Sequence, residues 1–591
     1  MARLRCSRST QRALTLGGIV LLILSIVALT HFIGGGPSSP LPSSVPEDDE
    51  PAWFEDVTDA WGFNFVHDPG PLGTYFTPQS MGSGAAVLDF DGDGLLDIYM
   101  LNFGGPTSKS VNRLFRQISP GKFQDVTEGS GLGVPGYSHG VAIGDVNNDG
   151  LPDVLLTQFD GIKLFLNQGG GKFAEIPAAE SGLTNVSWGM SAAFLDYDRD
   201  GWLDLVVINY LDFDPTMVCW SLTGVRDYCG PKNFKPVSSK LFHNLGRTPA
   251  EPGKPPGVRF KDVSFEAGIG RIPGAGLGVV CADFHAGIKG EKWPDIFVAN
   301  DGNPNRLWIN KKDGTFVDEG SSRGVAYTSM GKAYAGMGVA VGDMNNDGLL
   351  DLYVTHLGVE TNNLWVQGPP GQFHDRTVEA GLTALKWRGT GWGTVMADFN
   401  HDGWLDISIA NGRVFRGGDA QNTGMGYWET YAEKNQVLAN DGTGKFRDIS
   451  TSNKAVCGYW NVARGLVCAD FDNDGAMDLL VASLGGKAHL FRNVAPKRGH
   501  WLKVRAIDPR LNRDAYGAEI RVKVDGKEKF RLINPAESYL CSGAPIAHFG
   551  LGSADKYESL RVAWPDGLLE VFPGGPADRP LILKRGEGVP P

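Results

Sequence analysis

A loop rich in carboxylates lies between two apolar runs near the start of the chain. Residues 84–100 read GAAVLDFDGDGLLDIYM, in which Asp89, Asp91, Asp93 and Asp97 occupy positions one, three, five and nine of the loop. Carboxylates at these spacings, with a backbone carbonyl at position seven, form the oxygen cage that a hard cation such as Ca²⁺ prefers. The pattern predicts a strand, a calcium loop and a second strand.

The loop occurs seven times along the chain, and six copies keep the full ligand pattern. In the fourth copy, Asp283 and His285 are separated from Asp295 by an insertion, and Lys289 would place a positive charge at the cation position, so we expect this copy to be degenerate. Six bound divalent cations would offset the formal net charge of −12. The predicted calcium ligands are Asp89, Asp91, Asp93, Leu95, Asp97, Asp145, Asn147, Asp149, Leu151, Asp153, Asp196, Asp198, Asp200, Trp202, Asp204, Asp343, Asn345, Asp347, Leu349, Asp351, Asp398, Asn400, Asp402, Trp404, Asp406, Asp470, Asp472, Asp474, Ala476 and Asp478. The alternative, polar turns that hold no metal, is disfavoured because six loops match so closely.

Two further strand motifs accompany the loop, and each also occurs seven times. One is LFxN-like and the other is FxDVT-like, but the chain opens with FEDVT at residues 54–58 and the array ends with LFRN at residues 490–493. The N-terminal strand must therefore complete the last unit. Four short strands in each of seven units predict an all-β, seven-bladed β-propeller closed by its N-terminal strand. An open solenoid would need capping repeats instead.

The N-terminus has the pattern of a membrane-directed segment. Residues 1–12 are basic, and residues 13–33 form an apolar stretch long enough to span a membrane. We favour an uncleaved transmembrane helix with a cytoplasmic N-terminus over a cleaved signal, which would leave a secreted protein. Residues 34–50 are expected to be a flexible linker, and everything after them lies outside the cytoplasm, in the periplasm or at the cell surface.

The motifs resemble known families. The DxDxDGxxD loops resemble FG-GAP/VCBS repeats, the calcium-binding propeller units of integrin α-chains. The tail, with HWLKVRAI, NRDAYGAEIRV, SYLCSGAPIAHFGLG and LRVAWPDG, looks like the ASPIC/UnbV domain, and its alternating apolar residues also indicate a small β domain. Together they resemble the bacterial relatives of cartilage acidic protein. The resemblance implies an integrin-α-like propeller at residues 51–495, a C-terminal β domain at 496–580 and a tail at 581–591.

A ligand is expected on the face opposite the calcium loops. There each second strand ends in a polar residue, and two long loops carry aromatic and arginine residues that suit recognition. The other interpretation is that these polar residues only cap strand ends. Cys219 and Cys229 bracket one long loop and predict a disulfide. The candidates for this face are Asn209, Asn300, His356, Asn411, Trp220, Arg226, Tyr228, Arg413, Tyr427 and Trp428.

These features favour a membrane-tethered calcium-binding module that binds or adheres to a glycan or a protein. The alternative is an extracytoplasmic enzyme, a hydrolase or lyase acting on polysaccharide. We recognise no nucleophile elbow, phosphate loop or HExxH motif, and we assign no catalytic residue. The acidic composition argues against a nucleic-acid partner, and no nucleotide cofactor is expected.

Overall fold

The strands of the protein are short and form small sheets. The computed structural model describes residues 51–221, 223–249, 257–285, 292–417, 423–496 and 498–591, and this part of the chain is all-β. Its helices are α1 (Thr77–Met81), α2 (Ala178–Ser181) and α3 (Lys454–Cys457), with 3-10 turns at Pro231–Asn233, Ile269–Arg271, Leu382–Ala384 and Gly426–Tyr431. The predicted membrane segment at residues 13–33 lies outside the described residues. Within them, no helix combines the length and apolar character needed to cross a membrane.

Seven sheets share an antiparallel core of four strands, and we number them in chain order. The first strand of the chain, β1 (Phe54–Asp56), belongs to sheet 7. Sheet 1 contains β2 (Ala85–Leu88), β3 (Asp97–Met100), β4 (Arg113–Ser119) and β5 (Lys122–Asp125); sheet 2 contains β6 (Ser138–Gly144), β7 (Asp153–Gln158), β8 (Gly161–Asn167) and β9 (Phe173–Ile176); sheet 3 contains β10 (Gly189–Leu195), β11 (Asp204–Asn209), β16 (Lys240–Arg247) and β17 (Val258–Asp262), with the ribbons β12 (Leu211–Asp212), β13 (Cys219–Trp220), β14 (Arg226–Asp227) and β15 (Lys235–Pro236) in the loop after β11. Sheet 4 contains β18 (Gly276–Ala282), β19 (Asp295–Asn300), β20 (Arg306–Asn310) and β21 (Phe316–Asp318); sheet 5 contains β22 (Val339–Gly342), β23 (Asp351–Val354), β24 (Asn363–Gln367) and β25 (Phe373–Asp375); sheet 6 contains β26 (Gly391–Ala397), β27 (Asp406–Asn411), β28 (Gln436–Asn440) and β29 (Phe446–Asp448); sheet 7 contains β30 (Ala463–Ala469), β31 (Asp478–Ser483), β32 (His489–Asn493) and β1.

The two ends of this array meet in sheet 7. Strand β1 pairs with β32, and Phe54 lies opposite Asn493. The offset between the two strand motifs in the sequence predicts this pairing. Each acidic loop joins the first and second strands of its sheet, so all seven loops emerge at one face, which we call the acidic-loop face. The loops that join second to third strands, and fourth strands to the next sheet, emerge at the other face, which we call the insert face.

Each sheet packs against the next through side chains on both faces of its strands. On β3, Ile98 shares an apolar cluster with Phe471 of sheet 7, whereas Tyr99 shares one with Val154 of sheet 2. Successive residues of a strand point to opposite faces, which explains why these strands are continuously apolar. The other neighbouring sheets are joined by Leu155 with Leu205, Val206 with Ile296, Phe297 with Leu352, Tyr353 with Ile407, and Val395 with Leu479.

A buried amide near the end of the third strand ties most sheets to the sheet before. In sheet 2, Asn167 Nδ2 donates to the carbonyl of Phe90 in the acidic loop of sheet 1, at 2.8 Å. Gln117 of sheet 1 donates in the same way to Phe471 of sheet 7, at 2.8 Å. The equivalent bonds join Asn244 to Val146, Asn310 to Tyr197, Asn440 to Met344 and Asn493 to Phe399. The LFxN motif therefore serves contacts between sheets.

The C-terminal part contains two further four-stranded sheets around their own apolar core. One contains β33 (His500–Asp508), β34 (Arg513–Asp514), β39 (Ala547–Gly552) and β42 (Arg579–Lys584), and the other contains β35 (Glu519–Val524), β36 (Lys527–Leu532), β40 (Lys556–Ala563) and β41 (Leu569–Pro576). The predicted domain boundary at residue 580 falls inside β42, which pairs in parallel with β33. The described residues form one compact unit.

A segment of the C-terminal part lies among the first strands of the seven sheets. It contains β37 (Ala536–Glu537) and β38 (Cys541–Ser542), and Ser542 pairs with Ala86 of sheet 1. Between them, Ser538 exchanges backbone hydrogen bonds with Val339 of sheet 5, at 2.7 and 2.9 Å. The Leu540 carbonyl accepts from Val141 of sheet 2 at 3.2 Å. A Cβ at Gly84 would lie 2.4 Å from the same carbonyl, so this close approach requires glycine.

Candidate metal loops and the opposite face

The carboxylates at position nine are structural in all seven acidic loops. In loop 1, numbered after its sheet, Asp97 accepts from the backbone N–H of Phe90 at 3.1 Å and from that of Gln117 at 2.7 Å, through different oxygens. The same pair of bonds is made by Asp153, Asp204, Asp295, Asp351, Asp406 and Asp478. Each side chain ties its loop to the third strand. Because Asp295 does so in the degenerate loop, this role needs no metal.

The carboxylates at position one organise the turn. Asp89 accepts N–H groups of Gly92 and Gly94 at 2.8 and 3.0 Å, and Asp145 accepts that of Gly150 at 2.7 Å. The residues at position seven donate their N–H to the position-five Asp, as Leu95 does to Asp93 at 2.9 Å. These bonds hold the oxygens of each loop close together before any ion is present.

Several oxygens of these loops are buried without a hydrogen-bond partner. They are Asp91 Oδ1, Asp196 Oδ1, Asp398 Oδ1 and Asp470 Oδ1. Carboxylate oxygens of Asp89, Asp91 and Asp97 lie within 4.8 Å of one another, as do those of loops 3 and 7. A buried carboxylate oxygen with no partner is costly unless a cation is supplied. The donor set therefore fits a hard divalent cation, for which oxygen is the preferred ligand.

The crowding also changes the proton affinity of the loops. Burial raises the pKa of Asp97 to about 8, and the charges of Asp91 and Asp89 add to that effect. Burial likewise raises the pKa of Asp196 and of Asp398 to about 7. A bound cation would oppose these shifts, because it stabilises the ionised carboxylates.

In the fourth loop the chain supplies its own cation. His285 Nδ1 lies 2.7 Å from Asp295 Oδ2, and Lys292 Nζ lies 3.8 Å from Asp283 Oδ2 and 3.0 Å from Glu519 Oε1. The residue expected from the sequence, Lys289, lies outside the described residues. Lys292 takes its place, and its partner Glu519 comes from the C-terminal domain.

The C-terminal domain covers the acidic-loop face with basic side chains. Lys503 Nζ lies 2.6 Å from Asp470 Oδ2 of loop 7. Arg513 donates to Asn148 of loop 2 at 2.9 Å, and Arg521 and Lys529 donate to loop carbonyls of sheets 5 and 6. This docking could not be read from single motifs, although basic residues alternate along the strands that make it.

On the insert face, the polar residues that end the second strands are buried. The side chains of Asn209, Asn300 and Asn411 donate to backbone carbonyls of the following loop, at 2.9, 2.7 and 2.8 Å. His356 is buried, and burial lowers its pKa to about 4. The asparagines hold loops in place and do not line an open ring.

The two long loops of this face pack on each other. A disulfide joins Cys219 to Cys229. Tyr228 and Trp428 are buried; the hydroxyl of Tyr228 donates to Gln79 Oε1 at 3.0 Å and accepts from the hydroxyl of Tyr427. Arg413 pairs with Glu433 at 3.2 Å, and Arg226 donates to the Thr74 carbonyl at 3.1 Å. Of the ten candidates, Trp220 and Arg226 stay exposed, Trp220 at 64%.

Comparisons with known proteins agree with this layout. Residues 508–590 match the ASPIC and UnbV family, and residues 89–156, 145–207, 288–354 and 426–481 match the FG-GAP-like repeat. The chain is 26% identical to cartilage acidic protein 1 of Xenopus tropicalis over 514 residues, which cover 83% of this chain and 71% of that protein. The Homo sapiens protein of that name is 24% identical over 524 residues, covering 83% and 70%. The BP39L lectin from Burkholderia pseudomallei covers 70% of this chain and 97% of its own at 13% identity, but a TM-score of 0.39 is too low to define the fold.

The chain is therefore a protein of FG-GAP-like repeats with a C-terminal ASPIC and UnbV domain. Within that class it is homologous to cartilage acidic protein 1. The resemblance that the sequence motifs indicate is confirmed.

Proposed function

We propose that the seven sheets are the blades of one β-propeller, that its acidic loops bind calcium, and that the protein serves outside the cytoplasm as a membrane-tethered binding or adhesion module. The ring is supported by the pairing of β1 with β32 and by the bond from Gln117 to Phe471 between sheets 1 and 7. A ring that closes on itself leaves only short, protected sheet edges.

Calcium binding is supported by the buried carboxylate oxygens that have no partner. Six loops keep the ligand pattern, and about six ions are expected. Their role is structural: each ion would relieve repulsion among carboxylates that the hydrogen bonds of the loop hold together. At a free calcium concentration a few times the dissociation constant, each ion stabilises the fold by about 1 kcal/mol.

The observation that carries the binding role is the distribution of exposed apolar side chains. Within the described residues up to 496, most large apolar side chains that remain exposed lie in loops of the insert face. Val186 is 94% exposed, Val359 91%, Met330 77% and Trp220 64%, and they belong to loops of different sheets. Exposed apolar groups on loops held by a rigid scaffold are typical of interaction surfaces. Because three of these four side chains are aliphatic, and cannot stack on sugars as aromatic rings do, a protein partner fits better than a glycan.

Calcium binding is tested on the fragment of residues 51–591. We expect native mass spectrometry to count about six calcium ions, and the melting temperature to rise when calcium replaces a chelator. A fragment that takes up no calcium, and melts at the same temperature in both buffers, would refute the metal part of the proposal.

The binding face is tested by a pull-down of surface proteins and by a glycan array with the same fragment. The variant Val186→Ser/Met330→Ser/Val359→Ser should lose the captured partner. A matched control is Ile118→Ser/Leu245→Ser, which changes side chains of 55% and 52% exposure in hairpins at the other end of the sheets. Equal capture by both variants would exclude the insert face, and binding to the glycan array alone would replace the protein partner by a glycan.

A further inference from the structure

The third position of each complete acidic loop varies together with one residue on the third strand of the same sheet. That residue is the x of the LFxN-like motif. Where position three is Asp, x is basic: Asp91 with Arg116, Asp198 with His243, and Asp472 with Arg492. Where position three is Asn, x is apolar: Asn147 with Leu166, Asn345 with Val366, and Asn400 with Ala439.

The basic residues make direct contact with the extra carboxylate. Arg116 Nε lies 2.6 Å from Asp91 Oδ2, and its Nη2 lies 2.9 Å from Asp93 Oδ2. In loop 7, Arg492 Nε lies 2.6 Å from Asp472 Oδ2. In loop 3, His243 Nδ1 lies 3.4 Å from Asp198 Oδ2 and 3.1 Å from Asp204 Oδ1.

The asparagines at position three donate a hydrogen bond to the position-five carboxylate and carry no charge. Asn147 Nδ2 donates to Asp149 Oδ2 at 3.0 Å, and Asn345 Nδ2 donates to Asp347 Oδ2 at 2.9 Å. Asn400 makes the equivalent bond to Asp402 at 2.9 Å. In loops 1, 2, 5, 6 and 7 the position-five carboxylate therefore accepts a side-chain hydrogen bond, either from the arginine of the third strand or from the asparagine of the loop.

The basic residue does not use up the oxygens that an ion would need. Although Arg116 contacts Asp91 Oδ2, Asp91 Oδ1 stays buried without a partner. In loop 3, Asp196 Oδ1 is buried and unpaired, and in loop 7 the same holds for Asp470 Oδ1, although Lys503 contacts the other oxygen of Asp470. In each of these three loops, one carboxylate oxygen therefore stays available to a cation.

We propose that the x residue sets the charge of its calcium loop. In loops 1 and 7 an arginine offsets the carboxylate of Asp at position three, and in loops 2, 5 and 6 an apolar side chain accompanies the neutral Asn, so that these five loops present a similar net charge to the ion. The affinity of calcium sites depends on the charge count and rigidity of their ligands. An uncompensated fourth carboxylate would also increase repulsion in the empty loop. This inference rests on the calcium binding proposed above.

The test is a pair of double-mutant cycles in the fragment of residues 51–591. In loop 1, Arg116→Leu should raise the calcium affinity of that site about tenfold, and Asp91→Asn should lower it about tenfold. The double variant, which has the native combination of loop 2, should return to within about twofold of wild type. Loop 5 allows the reverse cycle. There Asn345→Asp should raise the calcium affinity of the site, Val366→Arg at a half-buried position should lower it, and the double variant should return close to wild type.

Native mass spectrometry at a series of buffered free calcium concentrations counts the bound ions. It can therefore show at which concentration the mutated site gains its ion, even with about six ions bound in total. A cooperative melting transition in chelator shows that each variant folds. If the double variant in loop 1 binds calcium more tightly than wild type, Arg116 replaces the ion and the inference is overturned. Unchanged calcium affinity in all variants would overturn the inference too, and would mean that Arg116 and Asp91 form only a surface ion pair. In both cases calcium uptake by the wild type still upholds the proposed function, whereas no uptake by the wild type refutes both.

Discussion

The phenol of Tyr539 donates a hydrogen bond of 2.8 Å to the carbonyl of Met81, and both residues are buried. Met81 ends helix α1 in a loop of the insert face, whereas Tyr539 belongs to the C-terminal part, which docks on the acidic-loop face. The ring of Tyr539 also packs on that of Trp392, with 4.9 Å between centroids. The segment between β37 and β38 therefore connects the two faces through the middle of the sheets, and the C-terminal part contributes to the core of the repeats.

Shortening Tyr539 should destabilise the whole fragment. Tyr539→Phe leaves the Met81 carbonyl unpaired and should cost about 1 to 2 kcal/mol. Tyr539→Ala also leaves a cavity and should cost about 3 to 5 kcal/mol. Urea unfolding measures both, with Tyr327→Phe, a tyrosine 41% exposed, as the control. If Tyr539→Ala unfolds like the control, the central segment is not part of the core.

The carboxylate at position nine should matter with or without calcium. In Asp97→Asn and in Asp295→Asn, an amide N–H₂ replaces an oxygen that accepts a backbone N–H, so each change should cost about 1 to 3 kcal/mol even in chelator. Asp295→Asn should cost the same in calcium, whereas Asp97→Asn also removes a proposed calcium ligand and should cost more there. Asp91→Asn, at position three, should lower the melting temperature in calcium and leave it almost unchanged in chelator. Thermal melts in both buffers separate the two kinds of position. A loss in Asp295→Asn that appears only with calcium would contradict the structural role.

The side-chain amide of Asn167 should contribute measurably to the free energy of unfolding. Asn167→Leu keeps the branching at Cγ, but it leaves the Phe90 carbonyl buried without its donor and should cost about 2 kcal/mol. The neighbouring Gln168 is exposed, so Gln168→Leu serves as the control. Chemical unfolding of both variants should show a loss for the first and little change for the second. Equal stability would mean that the bond between sheets 1 and 2 is dispensable.

Acid should destabilise the protein through buried histidines. Burial lowers the pKa of His67 to about 4 and that of His139 to about 3. Between pH 6.5 and 4 the unfolded chain binds protons at these residues and the folded chain does not, so stability falls as the pH falls, by about 1 kcal/mol per pH unit for each histidine. Unfolding in saturating calcium at pH 7.5 and 5.5 should show a smaller loss for His139→Gln than for wild type.

The control for that experiment is Ser138→Ala, which changes a buried, non-titrating side chain next to His139. It should keep the pH dependence of the wild type. Should His139→Gln lose as much stability on acidification as the wild type, His139 is not the group that resists protonation.

Most of what the sequence predicts correctly depends on local patterns of residue type. Turn residues and alternating apolar residues act within about ten positions, so the acidic loops, the strands around them and the disulfide between Cys219 and Cys229 could be located. The pairing of β1 with β32 followed from counting motifs. Spacing predicts the position-nine aspartates as calcium ligands, but it does not show that their oxygens also accept backbone N–H groups of the loop and the third strand.

By itself, the amino-acid sequence determined the all-β class, the number of acidic loops, the residue types at their positions and the family resemblance, because each depends on residues close together in the chain. Only the tertiary structure decided which oxygens stay unpaired, that Asn209, Asn300 and Asn411 hold loops, and that Lys292 and Lys503 approach acidic loops. It also placed the central segment among the first strands. These outcomes depend on contacts between residues that are far apart in sequence, such as Met81 and Tyr539. Packing brings them together, and no local pattern encodes the pairing.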